Sequence, residues 1–116
     1  MQIKRNRRTI EEGKLYTGQI AFTEQDEINE RIRICVEIES LGDEIFYVSL
    51  KTDDSDKVNS KFTRFFEDME AFSILGDFEL EELEGLMVEV SLRRGTDGLF
   101  YVKQLYLIED PYGDEA

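Results

Sequence analysis

Apolar positions recur along this chain with two different periods. Runs of period two cover Leu15–Phe22, Arg31–Glu39, Ile45–Lys51, Leu86–Arg93 and Leu99–Ile108, and each predicts a β-strand. Ile32, Ile34, Val36 and Ile38 alternate with Arg31, Arg33, Cys35, Glu37 and Glu39, the signature of a strand with one buried face. Tyr16, Gly18, Ile20 and Phe22 share one face of the first strand, and Gly18 marks a bend or a close backbone approach. Phe46, Val48 and Leu50 point inward in the third strand, with Tyr47, Ser49 and Lys51 outward; Leu86, Val88, Val90 and Leu92 point inward in the fourth. The last strand holds no single alternation, because Val102 fits one register and Leu105 and Leu107 the other. A β-bulge near Lys103-Gln104 reconciles them.

Period 3.6 enters between the third and fourth strands. Over roughly Lys57–Phe72, Val58, Phe62, Phe65, Phe66, Met69 and Phe72 recur at steps of three and four, which predicts one amphipathic helix. Asp54, Ser55 and Asp56 are eligible N-caps, since a short side-chain oxygen accepts a free first-turn N–H. Gly42, Gly76 and Gly85 punctuate the elements, and Arg93–Gly98 reads as a hairpin loop. The predicted order is β1-β2-β3-α-β4-β5, mainly β with one helix. It is the element order of the OB-fold, a five-stranded Greek-key barrel, in which the helix would plug the open bottom.

At 116 residues the chain makes one domain. Residues 14–108 are expected to form the barrel, 1–13 a basic N-terminal arm on which Ile3 and Ile10 are able to dock, and 109–116 an acidic tail. The single cysteine, Cys35, forms no intrachain disulfide, no apolar run is long enough to span a bilayer, and no apolar stretch of a secretory signal follows the basic Met1–Arg8. A cytoplasmic location is therefore expected.

Histidine is absent, which removes the usual neutral-pH base and the commonest metal ligand. No catalytic motif, cofactor site or metal site is expected. Counted from Asp54, the sixth and twelfth residues are Asn59 and Phe65, so the acidic run fails as an EF-hand loop. Gly95 and Gly98 lack the lysine–serine/threonine signature of a phosphate-binding loop. Cys35 reads as a half-buried residue on the polar face of its strand.

The net charge of −13 divides unevenly: residues 1–14 carry +3 and the remaining 102 carry −16. A field of that sign repels nucleic acid, so a nucleic-acid site requires a local basic patch. The outward faces of the second, third and fifth strands offer Arg31, Arg33, Tyr47, Lys51, Tyr101 and Lys103, and Arg93 and Arg94 lie in the loop between the last two strands. Rings that stack on bases, beside cations that neutralise phosphates, are what single-stranded nucleic-acid binding needs. The same residues also read as a solvated barrel face, and Glu24, Asp26, Glu27 and Glu30 in the opposite rim loop would repel a phosphate backbone.

The segment Glu81–Ile108, EELEGLMVEVSLRRGTDGLFYVKQLYLI, resembles the closing hairpin of small OB-fold proteins of phages and mobile elements. Leu83-Glu84-Gly85 matches their leucine–x–glycine opening and Leu86–Leu92 their alternating strand, while Lys14–Ile20, KLYTGQI, resembles their first strand. That resemblance implies a single-stranded-DNA-binding protein of replication or recombination, often acidic with an acidic tail. The expected function is thus a non-enzymatic module whose partner is single-stranded DNA or RNA. The alternative is an acidic protein-interaction or scaffold module of the same fold, with a basic protein as its partner.

Overall fold

The computed structural model describes residue 1, residues 9–52 and residues 60–108. Five antiparallel strands form one sheet: β1 (Leu15–Asp26), β2 (Arg31–Ile38), β3 (Glu44–Lys51), β4 (Met87–Arg94) and β5 (Phe100–Leu107), in the spatial order β3-β2-β1-β4-β5. The expected OB-like barrel is corrected in one respect. β3 and β5 are the two edges of the sheet and share no ladder, so the sheet is not closed.

β1 serves two neighbours. Its first half, Leu15–Gln19, pairs with β4, and Gln19–Asp26 pairs with β2. The chain turns between them where Gly18 lies against β2: a Cβ there would sit 2.9 Å from the Glu37 carbonyl oxygen and 2.9 Å from a Val36 methyl. Only a residue without a side chain permits that approach. Past Ile20 the register shifts, with Ile20 opposite Val36 but Phe22 opposite Cys35, leaving Ala21 as an extra residue. The expectation that Phe22 shares a face with Tyr16, Gly18 and Ile20 is therefore wrong. The bulge flips it to the outer face, where it is 38% exposed.

A second bulge lies where the sequence requires one. Gln104 pairs with Ser91 and Val102 with Leu92, so Lys103 is the additional residue, and Val102, Leu105 and Leu107 are all buried. Arg93 and Arg94 are the last residues of β4, opposite Tyr101 and Phe100, rather than part of the loop.

The single long helix becomes two short ones, α1 (Lys61–Asp68) and α2 (Ala71–Leu75). The break has a cause: the Met69 carbonyl accepts the Leu107 N–H at 3.1 Å, which withdraws it from the helical ladder, and Glu70 takes a left-handed conformation (φ 63°). The expected caps Asp54, Ser55 and Asp56 lie outside the described residues, and α1 is capped by Ser60, whose hydroxyl accepts the Thr63 N–H at 3.1 Å. Phe66, Met69 and Ala71 enter the core formed by Ile20, Ile34, Val36, Ile38, Leu83, Val88, Val90, Leu92 and Leu105. Phe62, Phe65, Phe72 and Phe78 gather around Phe66 with ring centroids 5.0–6.4 Å away. This packing sets α1 beside β3 and β5.

Of the expected arm, Ile10 packs partly buried on the core. The Glu11 N–H bonds to the Tyr16 hydroxyl at 2.9 Å and the Gly13 N–H to the Leu92 carbonyl at 3.2 Å. Ile3 and the acidic tail lie outside the described residues. No helix among the described residues is long and apolar enough to cross a membrane.

Candidate nucleic-acid interface

The outer face of β1–β3 is built in cross-strand rows, because residues paired across an antiparallel ladder share a face. Phe22, Cys35 and Tyr47 form one row; Glu24, Arg33 and Ser49 the next; Asp26, Arg31 and Lys51 the third. Tyr101 and Lys103 on β5, with Arg93 opposite Tyr101 on β4, face them across the open seam.

Two adjoining clefts follow that seam. One, of about 310 Å³, is lined chiefly by Tyr47, Ser49, Lys61, Arg93, Tyr101 and Lys103, with Phe65 at its side. The other, of about 330 Å³, is lined by Arg31, Ser49, Leu50, Lys51, Lys61 and Phe62. Ser49, Leu50 and Lys61 belong to both, so the two make one groove. Among the described residues that line it, Arg31, Lys51, Lys61, Arg93 and Lys103 are cationic and none is a carboxylate. Arg31 and Lys51 stand directly opposite one another on β2 and β3, a like-charge pairing that costs stability in a sheet. Arg31 also donates to the Ser49 hydroxyl at 3.2 Å.

Of the eight residues expected in the site, the groove gathers Arg31, Tyr47, Lys51, Arg93, Tyr101 and Lys103. Arg33 stands beside it. Its guanidinium lies 5.2 Å from the Tyr47 ring centroid and pairs with Glu24 at 3.6 Å, the one ion pair among the described residues. Arg94 is not brought in: alternation turns it to the other face, where it lies 5.3 Å from the Phe100 ring centroid and its N–H bonds to the Glu12 carboxylate.

Two residues escaped the sequence reading. Lys61 reaches the groove because α1 packs at the seam, a tertiary relation that periodicity does not carry. Phe22 joins the outer face through the Ala21 bulge. That signal was present, because Glu24 and Asp26 would have pointed into the core had the alternation continued.

Cys35 is buried rather than half-buried, and burial, then the Glu24 charge, pushes its thiol above the ordinary range. The acidic segment adjoins the groove rather than forming a loop throughout. Glu24 and Asp26 belong to β1, and with Glu27, Arg31 and Arg33 they line a cleft of about 540 Å³ that shares Arg31 with the groove, while Ile28 is almost fully exposed. Hydrogen bonds from Asn29 hold the Asp26 carboxyl below its usual pKa.

Comparison with protein families, with curated proteins and with solved structures finds no match to this chain.

Proposed function

We propose that this chain is a non-enzymatic OB-like module that binds single-stranded nucleic acid in the groove between β3 and β5. The observation that carries the reading is the groove's charge. In a chain of net −13, five cations and two tyrosines line two adjoining clefts along the β3–β5 seam, and no described residue lining them is a carboxylate. Local cations meet the backbone, rings meet the bases, and the acidic remainder of the surface discourages binding elsewhere. Arg31, Lys51, Lys61, Arg93 and Lys103 contact phosphates. Tyr47 and Tyr101 stack bases and Arg33 braces Tyr47, while Arg94, on the other face, takes no part.

The strand order supports the OB-like assignment. With β3-β2-β1-β4-β5 and the two edges meeting through Tyr47 and Tyr101, a ladder between β3 and β5 would complete a barrel. The resemblance of Glu81–Ile108 to small phage and mobile-element proteins makes DNA metabolism of such elements the biological setting.

A labelled oligothymidylate titrated with the protein at low and then higher salt tests this. Binding tighter than about 100 μM at low salt, weakening as salt rises, is expected. Absence of binding in that range sinks the reading. The exposed Ile28 on its acidic loop favours one rival, a surface that meets a basic protein. A protein partner retained after nuclease treatment, and lost on Ile28→Ser, would favour it.

A further inference from the structure

The groove contains one tyrosine whose position is enforced from several sides. The Tyr101 hydroxyl donates to one carboxylate oxygen of Asp97, while the other oxygen accepts the Leu99 N–H at 3.0 Å. The turn behind them is closed by two backbone bonds, Gly95 N–H to the Leu99 carbonyl at 2.7 Å and Gly98 N–H to the Gly95 carbonyl at 3.0 Å. Gly95 lies against the ring edge: a Cβ there would be 2.6 Å from Tyr101 Cε2 and 2.9 Å from an Asp97 carboxylate oxygen. The ring also meets that of Tyr47, with centroids 5.5 Å apart.

We propose that Asp97 and Gly95 are positioning residues that hold the Tyr101 ring ready for a base, a role that rests on the nucleic-acid reading above. A ring held in place before binding loses less rotamer freedom when a base stacks on it. Gly95 supplies the space and Asp97 the anchor. The anchor has an electrostatic cost, because it puts a carboxylate near a groove built for an anion. Asp97 thus acts on binding in two opposed senses, and the sign of its removal separates them. If the carboxylate were only a nearby charge, Asp97→Ala would tighten binding.

The test combines two readouts on the full chain, with Asp97→Ala, Tyr101→Phe and the double variant. The first is the ionisation of Tyr101, followed by NMR of isotope-labelled tyrosine and assigned through Tyr101→Phe. The Asp97 bond first, then desolvation and the Asp97 and Tyr47 charges, raise the Tyr101 pKa to about 12, and Asp97→Ala should lower it toward the ordinary 10. The second is oligothymidylate affinity. Asp97→Ala and Tyr101→Phe should each weaken it about fivefold, the worth of one modest hydrogen bond, and the double variant should lose no more than either. Tyr101→Phe keeps the ring and the turn, so it stands as a probe should Asp97→Ala disturb folding. Wild-type binding that Asp97→Ala leaves equal or tightens overturns the proposal, as does a Tyr101 that ionises in the ordinary range in the wild type. A wild-type chain that binds no oligonucleotide overturns the underlying reading instead, while the titration still reports on the anchor.

Discussion

Tyr47 on β3 and Tyr101 on β5 meet edge to face, with ring centroids 5.5 Å apart and planes at 88°. The two edges of the sheet therefore touch through side chains where no ladder joins them. Perpendicular rings at that distance cannot sandwich a base, so each ring offers a separate stacking surface. Tyr47→Ala and Tyr101→Ala should each weaken oligonucleotide affinity at least about fivefold, measured by anisotropy, whereas Tyr47→Phe should stay close to wild type.

The cations should report themselves through salt. With up to five phosphates neutralised, the log–log dependence of affinity on salt should have a slope no steeper than about −3.5 for a single strand, and Lys61→Ala should flatten it by about 0.7. Arg93→Ala should weaken binding about 3- to 10-fold. Arg33→Ala should have the smaller effect, because Arg33 is already paired with Glu24. Equal losses at Arg33 and Arg93 would contradict this division.

Gly18→Ala should destabilise the fold by about 1–3 kcal/mol in urea unfolding, because its methyl meets a carbonyl oxygen and a buried valine methyl on β2. The same change at Gly95 should leave stability closer to wild type and damage binding, since the atoms it meets belong to the exposed Tyr101–Asp97 pair.

Alkaline pH should remove a contribution of Tyr101 to stability. Its folded pKa of about 12 lies above the ordinary 10, so the folded state holds its proton more tightly than the unfolded chain. The contribution is complete below pH 10 and is lost as pH rises from there through 12. Asp97 runs the other way: its carboxyl is lowered by the Tyr101 bond and then the Leu99 N–H, so its contribution is present above the ordinary carboxylate range and fades in acid. Unfolding curves of wild type and Asp97→Ala should converge at both extremes of pH.

Much of the sheet is legible in the sequence because strand alternation is a local property. The Val102–Leu105 mismatch predicts the Lys103 bulge, and Gly18 predicts the close approach. Phe22 was misread by extending one alternation past Ala21, although Glu24 and Asp26 carried the contrary signal. The helix break at Met69 is set by a hydrogen bond from Leu107, 38 residues away, and no local pattern encodes it. The arrival of Lys61 at the seam is likewise tertiary. The sequence supplied the rings and most of the cations of the site, and the packing of α1 joined them into one groove.

The most direct test is an amide-resolved NMR titration of the full chain with oligothymidylate. The account predicts shifts concentrated at Tyr47, Ser49, Lys61, Arg93, Tyr101 and Lys103. Shifts confined to the Glu24–Glu30 segment, or no shifts at saturating oligonucleotide and low salt, would contradict it.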